Sequence, residues 1–180
     1  MMFDPFPPFV SSEFQVKYAT EPWERRGAAA LRRAVFCEEQ GVFAGDDRDA
    51  IDDIATPIVA LSSLTVAPDE VVGTVRIHEE APGLWWGSRL AVAKRYRRVG
   101  TLGTALIRLA VRSANARGCT LFLAHVQAGN ALLFQRLSWD VIEPVELHGR
   151  PHFLMQARLE AYPPFATPET GFRAHRKAAA

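Results

Sequence analysis

The sequence predicts a single α/β (α+β) domain, in which a mixed sheet of about seven strands is flanked by about four helices. Three observations carry this reading. Apolar residues alternate with polar ones in the first half, whereas later apolar runs are separated by residues at helical spacing. Strand patterns pair as a hairpin early and alternate with helices late, so the sheet should be antiparallel first and partly parallel afterwards. The chain of 180 residues, 48% hydrophobic and 23% charged, suffices for one core and has no internal linker long enough to divide it.

Residues 1–12, rich in Pro and Phe, read as an extended N-terminal arm. Residues 13–19 (EFQVKYA) alternate and predict the first strand. Thr20 is placed to cap the helix that follows, and Pro22 falls in its first turn, where a missing N–H costs nothing. Trp23, Ala30, Leu31, Ala34 and Val35 then form a helical stripe running toward Cys37. The acidic stretch from Asp46 to Asp53 lacks the glycine and terminal glutamate spacing of a calcium loop and reads as a solvated loop. Residues 57–66 and 70–79 predict an antiparallel hairpin joined by Ala67-Pro68-Asp69, and residues 84–93 a further strand. There Trp85 and Trp86 must face opposite ways, one into the core.

Residues 102–117 form an amphipathic helix with Leu102, Leu106, Leu109, Ala110 and Ser113 on one side, closed by Gly118. Residues 120–126 are the apolar run expected of a strand covered on both faces. A short helix over 129–137 and strands near 141–147 and 152–159, around the turn His148 to Pro151, complete a domain spanning 13–160. Residues 161–180 read as a Pro-rich, partly mobile tail.

A net charge of +1 argues against a surface built for nucleic acid, and no run approaches the ~20 apolar residues of a membrane helix. Cys37 and Cys119 lie far apart without C-x-x-C or histidine-rich company, so neither a disulfide nor a structural zinc is expected, and no other metal site is evident. The N-terminus shows no signal-peptide pattern, and a cytoplasmic protein with reduced thiols is expected.

The most informative segment runs from Arg89 to Leu106: a strand ends, the basic residues Lys94, Arg95, Arg97 and Arg98 follow, and Gly100 and Gly103 lead into a helix. Glycine lets backbone N–H groups turn to a ligand, and the helix N-terminus adds a positive dipole end, so this is a seat for a pyrophosphate. A plain strand–turn–helix junction with a solvated basic loop is the structural alternative. A dinucleotide fingerprint and a P-loop are both missing.

These residues resemble a known family. Arg98-Val99-Gly100-Thr101-Leu102-Gly103 is similar to the coenzyme A signature of the GNAT superfamily, Gln/Arg-x-x-Gly-x-Gly/Ala, with Thr101 standing at its first glycine. Arg89-Leu90-Ala91-Val92 resembles that fold's pantetheine-binding strand. Asn130 to Trp139 resembles its late helix ending in Phe-Tyr-x-x-x-Gly-Phe, and Gly149 to Met155 its closing strand. Arg33-Ala-Val-Phe36-Cys-Glu-Glu-Gln40 resembles one GNAT branch, and the whole pattern is most similar to candidate N-acetyltransferases whose genes sit beside a nitrilase gene.

The resemblance implies a GNAT fold that transfers acetyl from acetyl-CoA to the amine of a small molecule, with a homodimer as one possible state. It assigns the coenzyme to Leu90, Ala91, Val92, Arg97, Arg98, Val99, Gly100, Thr101, Leu102, Gly103, Thr104, Asn130 and Phe134. Phe134 stands where relatives carry a tyrosine that protonates the leaving thiolate, and residues 84–93 lack the usual basic glutamate. The base candidates are therefore His125, suited by its pKa to neutral pH, and Glu39 after the first helix. Their bland alternatives are a hydrogen-bonded core histidine and a solvated carboxylate. His78 reads as a surface residue, and His152 as packing or capping its turn. The acidic loop has a second reading as a rim that attracts a cationic acceptor. Two further readings stand beside the enzyme: a non-catalytic acyl-CoA-binding module, motivated by Phe134, and a lactone synthase using S-adenosylmethionine. The latter rests on Arg33, Phe36, the aspartates and Gly73 to Arg76, which resemble acyl-homoserine lactone synthases.

Overall fold

The computed structural model describes residues 10–63, 68–99 and 101–175. In chain order its elements are β1 (Glu13–Tyr18), α1 (Pro22–Arg32), β2 (Thr56–Ser63), β3 (Pro68–Ala81) and β4 (Leu84–Val92). There follow α2 (Leu102–Ala116), β5 (Leu121–Gln127), α3 (Ala131–Arg136), β6 (Trp139–Leu147), β7 (Arg150–Ala157) and β8 (Phe172–His175). A π-helical stretch, Arg33–Glu39, continues α1. The sheet order is β6-β7-β5-β4-β3-β2-β1-β8. Its one parallel junction among the described residues is β4–β5. The mixed α+β sheet expected from the sequence is thus present. The described strands number eight rather than about seven, because β8 was not expected, and the described α-helices number three rather than about four. Of the expected hairpin turn Ala67-Pro68-Asp69, Ala67 lies outside the described residues, whereas Pro68 and Asp69 already belong to β3, with Pro68 paired to Ser63.

Strand alternation gives the sheet two different faces. Val16, Ala60, Val75, Ile77, Trp85, Phe122, Ala124 and Met155 are buried in one cluster with α2. That helix supplies the stripe Leu102, Leu106, Leu109, Ala110 and Ser113, each at most 3% exposed. Each such leucine contributes roughly 1.5–3 kcal/mol by leaving water. On the other face α1 lays Ala28 and Trp23 over Val59, Leu61 and Val71.

Two local expectations are corrected. The N-cap of α1 is Glu21, not Thr20. The Glu24 carboxylate accepts from the backbone N–H of Thr20 and Glu21 and from Lys17 Nζ at 2.7 Å, so Thr20 lies before the helix and is held by its base. The C-terminal segment is not a loose tail as far as residue 175. Tyr162 is 3% exposed, its hydroxyl donates to the Leu137 carbonyl, and Asn115 Nδ2 donates to its carbonyl at 2.7 Å. The chain then crosses α2 and adds β8 antiparallel to β1. Gly171 makes this approach possible. Its φ is +65°, and a Cβ there would lie 1.8 Å from the Val16 carbonyl oxygen.

Candidate active site

β4 and β5 pair only between Leu84–Gly87 and Leu121–Ala124. Beyond these residues β4 runs on to Val92 and β5 to Gln127 with no pairing to each other. The parting coincides with a bulge: Thr74 faces Ala91 and Arg76 faces Ser88, so Val75 stands against both Arg89 and Leu90. Such a bulge bends its strand and re-aims its groups. Arg89 takes the left-handed conformation, φ 57°, at a cost of order 1–3 kcal/mol. A cavity of about 440 Å³ occupies the gap. It is lined by Ile107, Phe122, Val126 and Phe134 on the α2 side and by Arg76, His78, Trp86, Ser88, His125 and His152 on the other. By strand parity these sets belong to opposite faces, so the cavity passes through the sheet.

A closed ring of charges holds the bulge. Arg32 pairs with Asp47 and Asp52, Arg89 with Asp47 and Asp49, and Arg76 with Asp49 and Asp52, all at 2.6–3.3 Å. Burial pushes the Asp52 carboxyl up, but hydrogen bonds from Arg32, the Asp49 N–H and Arg76 outweigh it and hold it far below the carboxylate range. The Arg76 fork likewise holds Asp49 low. Arg89 also lies 4.4 Å over the Phe43 ring. The acidic stretch is therefore neither a solvated loop nor an acidic rim. Asp47, Asp49 and Asp52 are spent on buried or half-buried arginines, while Asp46 and Asp53 remain exposed.

Over the same face, the chain after the π-helical stretch straps the cavity. Gln40 accepts from Gln127 Nε2 at 3.0 Å and, through its carbonyl, from Arg150. Phe43 meets the His148 ring at 4.7 Å. His125 is exposed to the cavity and stacks on Trp86 at 5.1 Å. Burial, then the nearby His152, lower its pKa, so the ring is neutral at pH 7. His78, expected at the surface, lines the cavity too and is lowered by burial and then by Arg76. Trp85 is core and Trp86 lines the cavity, as the alternation required. Both cysteines are free, and burial raises both thiols, Cys119 to about 11, so neither is poised as a nucleophile.

The other end of the gap meets α2. Thr101 is its N-cap, and Ala105 N–H donates to the Thr101 carbonyl at 2.9 Å, so among the described residues the N–H groups of Leu102, Gly103 and Thr104 have no helical acceptor. A Cβ built on Gly103 meets nothing within 4 Å. Packing does not demand glycine there, and the open space above it fits the close approach of a phosphate.

A model of the acetyltransferase (GNAT) family matches residues 12–137. The chain belongs to the acetyltransferase (GNAT) family. It is 31% identical over 143 residues to a candidate acetyltransferase of Bacillus subtilis (strain 168), covering 78% of this chain and 93% of that protein. The structure of a candidate N-acetyltransferase from Lactobacillus plantarum superposes with a TM-score of 0.72 at 26% identity, over 81% of this chain and 98% of that one. Escherichia coli ElaA shares the fold, with a TM-score of 0.67 at 21% identity over 81% and 98% of the two chains.

Within this GNAT domain the expected coenzyme residues divide between the cavity lining and the segments that follow β4. Leu90 and Phe134 line the gap with Asn130, the N-cap of α3. Ala91 and Val92 continue the unpaired edge of β4, and Thr101, Leu102, Gly103 and Thr104 form the start of α2. Arg98 and Val99 end a 3-10 turn, and Gly100 lies outside the described residues. Arg97 is held away from a free phosphate role, because Nε donates to the Val92 carbonyl at 3.0 Å and Nη2 to Glu39 at 2.7 Å. That ion pair also separates the two base candidates. His125 is in the cavity, whereas Glu39 is bound to Arg97 and is not part of the lining. His152, read from sequence as a packing residue, joins the lining. Its place in a strand of alternating apolar residues just after a turn was the available signal.

Proposed function

We propose that this GNAT domain is an N-acetyltransferase that passes acetyl from acetyl-CoA to the primary amine of a small molecule by direct attack. The observation that carries the reading is the gap between β4 and β5, lined on one face by Ile107 and Ala110 of α2, whose N-terminus is open above Gly103, and on the opposite face by an aromatic and polar chamber. Phosphates would be held by the first N–H groups of α2, and the pantetheine arm by the unpaired edge Leu90 to Val92, with Asn130 and Phe134 flanking the thioester. Phe134 has no proton to give, and a thiol of pKa near 8.5 is a leaving group that tolerates this. The non-catalytic and lactone-synthase readings have less support, since the matched family and the Bacillus subtilis relative are described as acetyltransferases. The nitrilase-neighbour subgroup rests on residues 33–40 and is tested by the genes flanking this one. Donor chemistry of this kind belongs in the cytoplasm.

The chamber also supports an acceptor class. Its arginines, Arg76 and Arg89, are already paired with aspartates, so among the described lining residues no cation is free for an anionic substrate. Glu80 is the lining carboxylate without an arginine partner there, and it accepts from Trp86 Nε1 at 2.8 Å. A carboxylate beside an indole suits an amine on an apolar body that lacks an acidic group.

The test is calorimetric titration with acetyl-CoA and coenzyme A, followed by thiol release with phenethylamine and with phenylalanine. Micromolar binding, and turnover of phenethylamine over phenylalanine, are expected. Gly103→Val should keep the melting temperature yet weaken coenzyme A at least tenfold, since the added methyls meet ligand rather than protein. Wild-type protein that binds no coenzyme A would end this reading.

A further inference from the structure

We propose that His152 is the general base of this acetyl transfer, taking the proton of the attacking amine at Nε2; the proposal rests on the acetyltransferase reading above. His152 is 9% exposed and lines the cavity. Its Nδ1 lies 2.9 Å from the Arg150 carbonyl oxygen. A carbonyl only accepts, so Nδ1 carries the hydrogen and the neutral ring keeps its lone pair on Nε2. Among the described residues Nε2 has no hydrogen-bond partner, and it is not one of the buried atoms left without one, so it opens to the cavity. The backbone under it is fixed. His152 faces Gln127 on β5 and Val145 on β6, a strand on either side, and Arg150 is tied by its guanidinium to the Gln40 carbonyl of the strap.

His125 differs in each respect. It is exposed, stacks on Trp86, and has no hydrogen bond from the described residues to select a tautomer. It lies two residues from Gln127 on the same face, near enough for a charge on His152 to depress its pKa. His125 is therefore a neighbour within the chamber, while His152 is the ring aimed by the fold. In the step itself the amine nitrogen bonds to the thioester carbonyl carbon, the C–S bond breaks with its electron pair leaving on sulfur, and Nε2 accepts the N–H proton. Nothing is oxidised or reduced.

Two measurements test this. Nitrogen NMR of histidine-labelled protein, with the five rings assigned by single His→Asn variants, reads the tautomer directly. The Nδ1–H form is expected for His152, and an Nε2–H form would overturn the proposal with or without an acceptor in hand. Acetyl-CoA turnover with phenethylamine is then compared between wild type, His152→Asn and His152→Ala. A kcat loss of about 10²–10⁴-fold is expected, with KM for acetyl-CoA little changed and partial rescue of His152→Ala by added imidazole. A purely structural role would not be rescued. Folded His152→Asn within threefold of wild type, or a His125→Asn variant that loses more, sinks the proposal while leaving the acetyltransferase intact. A wild type that binds acetyl-CoA but acetylates no amine removes both.

Discussion

Replacing Asp47 with asparagine should unbalance the charge ring that fixes the bulge in β4. The Asp47 side chain is 2% exposed, and its Oδ2 accepts from Arg32 Nε at 2.7 Å and from Arg89 Nε at 3.0 Å. Asn keeps the volume but removes one of three negative charges from among three arginines. Removing one member of a buried pair costs about 3–5 kcal/mol. Here both arginines retain a second aspartate and are 11% and 15% exposed, which places the loss at roughly 2–3 kcal/mol. For a chain of this size that corresponds to about 4–12 °C in Tm. The control is Asp53→Asn, whose partner Arg48 is 3.4 Å away with both side chains about 70% exposed, and which should stay within about 0.5 kcal/mol. Urea unfolding of both variants gives the comparison. If Asp47→Asn unfolds with the same midpoint as Asp53→Asn, the ring is not a stabilising unit.

Two further outcomes follow from the same structure. Gly171→Ala cannot be accommodated against the Val16 carbonyl and should release β8, seen as faster amide exchange at Val16 and cleavage of the C-terminal segment by protease at concentrations that spare wild type. The carboxyls of Asp49 and Asp52 sit below their unfolded value near 3.9, so the unfolded chain binds more protons between the two values. Their stabilisation is complete above about pH 5 and is lost as the pH falls through that window, which Tm measured from pH 7 to 3 should trace and Asp52→Asn should flatten.

How much of this was legible in the sequence depends on how local each signal is. The start of α2, the stripe Leu102 to Ser113 and the opposed pair Trp85 and Trp86 are set by neighbours in the chain, and each stands where the pattern put it. The aspartates misled because Asp47, Asp49 and Asp52 lie together while their partners Arg32, Arg76 and Arg89 come from a helix and two strands. Charge pairing across such separations leaves no period to read. β8 was missed for a related reason: four residues with two half-buried side chains carry almost no strand pattern, and the register with β1 supplies what propensity does not. For the histidines, sequence gave the pKa range but not the hydrogen bond, and it is the Arg150 carbonyl that separates His152 from His125.

The sheet's far edge has a consequence for how the chain is made. β1 leaves the ribosome well before β8, yet its partners are β2 and that much later strand, with Arg173 reaching Glu13 across 160 positions. Until β8 arrives, β1 offers an open row of amides and carbonyls to any strand nearby, so synthesis passes through a stage in which self-association competes with completion. Slowing synthesis of the segment that carries β8, or clipping the chain before Phe172, should favour aggregates over folded protein, even though no part of the chamber has been touched.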